Sequence, residues 1–448
     1  MNAPIKTAAA QDLSAPGDSE VDAAYSKIKW RLMPLLFAAY ILANIDRINI
    51  GIAQLQMKTA LGFSDAVYGA GAGIFFIAYF MFEVPSSLLM NRIGVRRTLA
   101  RITIGWGVVS AATMMVNSVP AFYALRFLLG VFEAGFFPGV VYYLTLWYAP
   151  ARRARALAAI SSALVLAGVI GNPLSGWILK NMDAVAGLAG WQWMFLLEGV
   201  PSVALGLVIL VVLPEGPQTA RWLTPRQKWL IAREVEAQTQ THVAGSVRDV
   251  LKDRRVYAFA AVYFSFICAI AVIPFWLPTI IKGLGVTDLA RIGLYAAIPN
   301  IVAAVAMFAC AASSDRIGER RWHTSIAALV GAAALMMLPM ASSQVALSFV
   351  LLCLAAAGIF STVPLFWAIP SAWLAGSAGA ASGIALISSI GLLGGFVSPT
   401  VIGWLKTNTG SMAAGLYVFA ALFALGAILL LVVTKGERDG ARRGTLSA

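Results

Sequence analysis

The stretch Asn91-Arg92-Ile93-Gly94-Val95-Arg96-Arg97 returns as Asp315-Arg316-Ile317-Gly318-Glu319-Arg320-Arg321, 224 residues further along a chain of 448. Each copy is a short basic connector between two long apolar runs. A second echo pairs Pro173, Gly176 and Trp177 with Pro399, Gly403 and Trp404 at almost the same offset. The chain is 60% hydrophobic and 12% charged, against about 45–50% and 25% in soluble domains, so it reads as an integral membrane protein. Matching connectors at matching apolar runs then indicate an internal duplication of six spans plus six. In that arrangement a substrate site forms between the halves near the bilayer midplane.

With roughly 20 apolar residues needed per crossing, the runs divide into twelve spans near residues 31–54, 67–90, 98–116, 120–142, 154–179, 193–213, 256–281, 292–314, 323–341, 346–368, 377–404 and 412–434. The expected fold class is all-α: twelve transmembrane helices in two six-helix halves. The expected domains are a disordered tail over 1–28, a first bundle over 29–213, a central loop over 214–255, a second bundle over 256–434 and a tail over 435–448. Of 33 Lys and Arg residues, 26 fall on the side of the termini and central loop. Lys58, Lys180, Lys282, Arg291 and Lys406 fall on the other side, and Arg47 and Arg126 fall inside spans. A net charge of +13 in a soluble chain would suggest nucleic acid. Placed on one side, it follows the positive-inside pattern, with no nucleic-acid partner and both termini in the cytoplasm of a cell whose inner membrane holds the protein.

The polar first 24 residues lack the apolar core of a secretory signal. Cys268, Cys310 and Cys353 sit one per span, without metal or redox spacing. There is no phosphate-binding loop, metal-ligand cluster or hydrolase triad, so no cofactor, no metal and no enzyme activity are expected. Gly69-Ala70-Gly71-Ala72-Gly73 lies within span 2 and reads as close helix packing. Pro138, Pro173, Pro274, Pro278, Pro364, Pro370 and Pro399 are expected to break or bend spans 4, 5, 7, 10 and 11. His242 and His323 map to loop edges, so an intramembrane proton carrier must be a carboxylate.

A charge at the centre of a membrane helix costs about 2.5–3.5 kcal/mol on insertion scales and needs a partner or a wet cavity. Spans 1 and 4 carry four: Asp46, Arg47, Arg126 and Glu133. Residues 126 and 133 share a helix face about 10 Å apart, while Asp46 and Arg47 point about 100° apart. Arg47 and Arg126 suit a carboxylate clamp, because guanidinium stays protonated and binds carboxylate through two parallel hydrogen bonds. Asp46 and Glu133 then suit proton carriage, with Glu133 competing with substrate for Arg126. The alternative is a static set of ion pairs that orient the two spans. Glu83 reads either as a gating partner or as a snorkelling charge, and Glu198 as a structural anchor at the outer interface.

The two basic connectors, with twelve spans and a long central loop, resemble the major facilitator superfamily. More narrowly, Asp46-Arg47-Ile48-Asn49-Ile50-Gly51, the run from Arg126 to Gly139 and Gly190-Trp191-Gln192-Trp193 are similar to the anion:cation symporter family. The resemblance covers residues 28–435 and implies proton- or sodium-driven movement of small organic anions such as phthalate, tartrate, hydroxyphenylacetate or sugar acids. It points to the same four charged positions. Where the family usually has Asp, this chain has Asn91, so a charge-based gate from Arg92, Arg96, Asp315 and Arg316 is weaker in the first half.

Where the family usually carries Asn in span 11, this chain has Ser388 and Leu392, which argues against a polyhydroxylated substrate. Phe264, Trp276, Phe360, Phe366 and Trp367 of spans 7 and 10, with Tyr79 of span 2, favour a flat carboxylate, although aromatic side chains pack by default. The substrate-binding set is therefore Arg47, Arg126, Tyr79, Trp276, Phe360, Trp367 and Ser388. The reading is a monomeric symporter in the lipid bilayer that imports a small organic anion with protons by alternating access. Phthalate-like aromatic acids come first, tartrate-like or sugar acids second. An efflux antiporter is the rival, on the loose signature Gly171-Asn172-Pro173.

Overall fold

In hydrocarbon every backbone N–H and C=O must be bonded within the chain. The described residues, 18–237, 247–374 and 379–435 of a computed structural model, meet this with helices and no strand. In order they are α1 (Asp18–Ile48), α2 (Ile50–Leu61), α3 (Asp65–Ile93), α4 (Val95–Ala112), α5 (Val119–Glu133), α6 (Phe136–Trp147), α7 (Pro150–Ser161), α8 (Ala163–Asn181), α9 (Gly190–Val212), α10 (Pro225–Ala237), α11 (Val247–Lys252), α12 (Arg254–Gly283), α13 (Leu289–Ile317), α14 (Arg321–Met337), α15 (Val345–Leu374), α16 (Ala380–Thr409) and α17 (Ala413–Val433). Among the described residues, eleven stretches are long and apolar enough to cross a membrane, with α1–α2, α5–α6 and α7–α8 each making one. The twelfth span is α4, whose 18 residues carry Arg96, Arg97 and Arg101 in the first two turns.

The expected disordered tail differs from what is seen. Residues 1–17 lie outside the described set, but α1 already runs from Asp18 because Ala24, Tyr25 and Ile28 form a buried stripe. The central loop contains α10 and α11; residues 238–246 and 436–448 lie outside the described set. Span 4 is interrupted at Ala134 and Gly135 (φ +88°), with Pro138 already inside α6. Pro173, Pro274, Pro278, Pro364, Pro370 and Pro399 sit within unbroken helices. Span 1 has no such break: Asn49, between α1 and α2, keeps helical φ and ψ (−56°, −30°), its N–H donates to the Ile45 carbonyl and its own carbonyl accepts from Ala53.

The duplication is visible in the backbone. Gly94 and Gly318 both take positive φ, at +88° and +68°, a conformation open mainly to glycine. The second echo marks helix crossings between the halves. A Cβ at Gly403 would lie 2.3 Å from the Asp65 carbonyl oxygen of α3, and one at Gly293 of α13 would lie 2.3 Å from the Asn172 carbonyl oxygen of α8. Both obstacles are backbone, so they cannot swing aside. Gly403→Val is expected to hold these helices apart and cut transport about tenfold or more. The check is cross-linking of a cysteine pair placed across α3 and α16, which should become slower than in the parent.

Those crossings close the face opposite the termini. There Gln54 Nε2 and the Tyr68 hydroxyl both donate to the Phe275 carbonyl at 2.8 Å, Lys58 and Lys406 flank Asp65, and Lys180 pairs with Asp288. Donation from Lys180, then from the Arg291 backbone N–H, holds the Asp288 carboxyl below the usual carboxylate range. A lowered native value means that this pair contributes above the ordinary aspartate value, near 4, and that its contribution fades as pH falls through the native value. The pair is exposed, and exposed ion pairs contribute little. Asp288→Asn should therefore change neutral-pH uptake less than twofold, far less than Gly403→Val.

On the face with the termini, the basic connectors pair within their own halves. Arg96 reaches Glu215 (Nε to Oε1, 3.5 Å; backbone N–H to Oε2, 3.2 Å), Asp315 bonds Arg320 at 2.7 Å, and Arg92 and Arg316 are exposed. The gate expected from Arg92, Arg96, Asp315 and Arg316 is therefore not joined between halves in this state.

Candidate functional site

The junction of α1 with α2 and the break between α5 and α6 define the centre. Arg47 stands in the last turn of α1 and Glu133 is the last residue of α5. A cation suits a helix C-terminus and a carboxylate does not, so Glu133 needs a positive partner there. Arg47 supplies it, donating from a guanidinium nitrogen to Glu133 Oε1. The partner expected from the helix face was Arg126, so the pairing is a correction. Spacing along one helix cannot say which neighbouring helix presents the closer cation. Glu133 Oε2 has no hydrogen-bond partner.

Phe75 of α3 lies between the two arginines. The Arg47 guanidinium is 5.1 Å from its ring centre and that of Arg126 is 5.4 Å away; Arg47 also lies 5.6 Å from the Tyr79 ring. These are cation–π distances. Arg126 is 1% exposed, its Nε donates to the Gly71 carbonyl at 3.2 Å, and a terminal nitrogen has no partner. Arg47 keeps 20% of its side chain exposed. The arrangement therefore holds two permanent positive charges around one ring, with one carboxylate among the described residues bonded to them and unused donor capacity on Arg126.

Phe75, Tyr79 and Glu83 are four residues apart and form one stripe of α3. From the other half, Tyr263 stacks on Phe366 (5.2 Å) and meets Trp367 edge-on (4.8 Å), and it comes within electrostatic reach of Tyr40 and Glu83. Tyr40 packs on Phe137 at 5.5 Å. The structure thus brings Arg47, Arg126, Tyr79 and Glu133 together, with Trp367 in the facing aromatic group. Trp276 is fully buried and meets Tyr68 edge-on at 5.2 Å. Phe360 is 4% exposed in the apolar core, and Ser388 is half-buried on α16. Sequence reading missed Tyr40, Phe75 and Tyr263. Tyr40 did carry a signal, since it precedes Arg47 by seven residues and so shares its helix face.

Asp46 points the other way, into the first half, and accepts from the hydroxyls of Ser110 (2.5 Å) and Ser202 (2.7 Å). Glu198 is a correction. It is 3% exposed and accepts from Ser175 at 2.6 Å inside the bundle rather than anchoring an outer interface.

Residues 36–385 match the model of the Major Facilitator Superfamily. The chain belongs to that superfamily. It is 44% identical to the Pseudomonas putida protein named metabolite transport protein NicT, over 93% of this chain and 95% of that one. It is 45% identical to a protein named as a tartrate transporter in Agrobacterium vitis, over 92% and 91%. The inward open structure of the xylose transporter XylE from E. coli shares the fold, with a TM-score of 0.71 at 14% identity, covering 91% of this chain and 95% of that one. The protein is accordingly a multi-pass membrane transporter of the major facilitator type, similar to anion:cation symporters, and its relatives are transporters rather than enzymes.

Proposed function

We propose that the protein is a proton-coupled symporter that imports a small organic carboxylate across the inner membrane, acting as a monomer with both termini in the cytoplasm. The observation that carries this reading is the buried Arg126 guanidinium with an unpartnered nitrogen, beside a second arginine. A permanent buried cation without an anion is costly, and a substrate carboxylate completes it through a bidentate pair. Arg47 and Arg126 are the clamp, Tyr79 and Trp367 frame the bound anion, and Ser388 can donate from α16. Trp276 and Phe360 support these from behind. Glu133 carries the coupled proton because substrate and Glu133 compete for Arg47, with Asp46 as the second carboxylate. Arg92, Arg96, Asp315 and Arg316 re-pair between halves in the opposite state of the alternating-access cycle.

The rings of Phe75, Tyr79, Tyr263, Phe366 and Trp367 favour a flat aromatic acid such as phthalate. The relative's tartrate name supports a second reading, a small hydroxy-dicarboxylate. Purified protein in liposomes with labelled phthalate and tartrate tests both. An inside-alkaline pH gradient should drive uptake without sodium. Uptake that requires sodium and ignores pH overturns the coupling, and uptake of neither acid overturns the substrate class.

A further inference from the structure

Asp46 and Asn49 lie one turn apart on the first span, and Ser202 and Glu198 lie one turn apart on α9. They meet as two adjacent rungs. In one, the hydroxyls of Ser202 and Ser110 donate to the two oxygens of Asp46. In the other, Ser175 of α8 donates to Glu198 Oε1 while Asn49 stands alongside. Asp46, Asn49 and Glu198 are 1%, 2% and 3% exposed, and neither Glu198 Oε2 nor either polar atom of the Asn49 amide has a hydrogen-bond partner.

No Lys, Arg or His comes within ion-pair distance of either carboxylate among the described residues. Arg47, next in sequence, is turned to Glu133. The groups facing the rungs are Ser110 and Trp106 from α4, Ser175 from α8, Ser202 from α9 and Asn49 from the junction of α1 and α2; Glu133 is the further charge within electrostatic reach of Asp46. All are neutral except Glu133, which is another acid. Asp46 and Glu198 are themselves within electrostatic reach of one another. Two carboxylates so placed, buried and without a cation, do not both stay ionised. The hydrogen-bond pattern says which one is neutral. Asp46 already accepts from two hydroxyls, which suits a carboxylate. Glu198 accepts from one hydroxyl only and keeps an idle oxygen, and the Asn49 amide beside it, with neither its oxygen nor its nitrogen partnered, offers an acceptor to the acid form.

We propose that Asp46 and Glu198 form a second proton-holding site, separate from the Arg47–Glu133 pair, in which Glu198 carries the proton and its O–H donates to the side-chain oxygen of Asn49. Under the symport reading, this site supplies a proton exchange distinct from that of Glu133, next to the junction of α1 and α2. The protonation state itself does not depend on that reading.

Infrared spectroscopy of the protein in lipid at neutral pH tests it directly, in a Glu83→Gln, Glu133→Gln background that removes the two carboxyls of the centre. A carbonyl band of a protonated carboxylic acid should be present, should persist in Asp46→Asn, should disappear in Glu198→Gln and should shift in frequency in Asn49→Ala. The shift keeps the test sound if Glu198→Gln folds poorly. Absence of the band, its survival in Glu198→Gln, or an unmoved band in Asn49→Ala overturns the proposal. Loss of the band on adding sodium ions does so too, because the rungs would then hold a metal cation. None of these readouts involves transport, so failure of the symport reading leaves them intact.

Discussion

Replacing Arg126 with alanine is expected to weaken carboxylate binding a hundredfold or more. A hydrogen bond to a charged group contributes about 1.5–3 kcal/mol and the fork makes two, while a hundredfold change corresponds to about 2.8 kcal/mol. Arg126→Lys keeps the charge but loses the planar fork, so about tenfold is expected. Arg126 is among the largest fully buried side chains, so alanine also leaves a cavity and lowers the melting temperature. Arg126→Met fills most of that space without the charge, so it should lose binding with a melting temperature closer to that of the parent. Equilibrium binding of labelled substrate to purified protein is the measurement. Parent-like affinity in Arg126→Ala would place the carboxylate elsewhere.

The helical spans and the repeat were legible because they rest on local composition. Each predicted span overlaps an observed helix, and both basic connectors turn on a glycine with positive φ. The four central charges were legible for a related reason: a charge in hydrocarbon stands out against its neighbours. What the sequence left open was which helix lies beside which. Residues 126 and 133 do share a face of span 4, yet Glu133 meets Arg47 because the break at Gly135 ends α5 beneath the end of α1. Glu198 was misplaced for a comparable reason. Its position in the chain follows an aromatic cluster at a span end, but α9 turns it inward onto Ser175.

Breaks were the weakest part of the reading. Prolines are expected to break or bend the spans; six sit inside continuous helices, while span 4 is interrupted at Ala134–Gly135. Gly135 is required because a Cβ there would lie 2.6 Å from the Ser86 hydroxyl oxygen, a contact no local pattern reveals. The break in span 4 falls beside Glu133, where the end of α5 leaves backbone groups free to bond or to move.

Glu133→Gln is expected to abolish accumulation against a gradient while leaving substrate exchange in place. In the structure Glu133 holds Arg47. A substrate carboxylate that takes up the same guanidinium releases Glu133 into a buried position without its cation, where the neutral acid is favoured. Substrate and proton therefore promote one another's binding, and linkage makes the effect reciprocal. Glutamine mimics the protonated partner, so binding should persist with weakened pH dependence. No proton can then leave that site on the far side of the cycle, so gradient-driven uptake should fall to the level of protein-free liposomes. Counterflow of labelled against unlabelled substrate needs no net proton movement and should survive. Comparing the two assays on one preparation separates a coupling defect from a folding defect. Full accumulation by both Glu133→Gln and Asp46→Asn would show that neither carboxylate carries the driving proton.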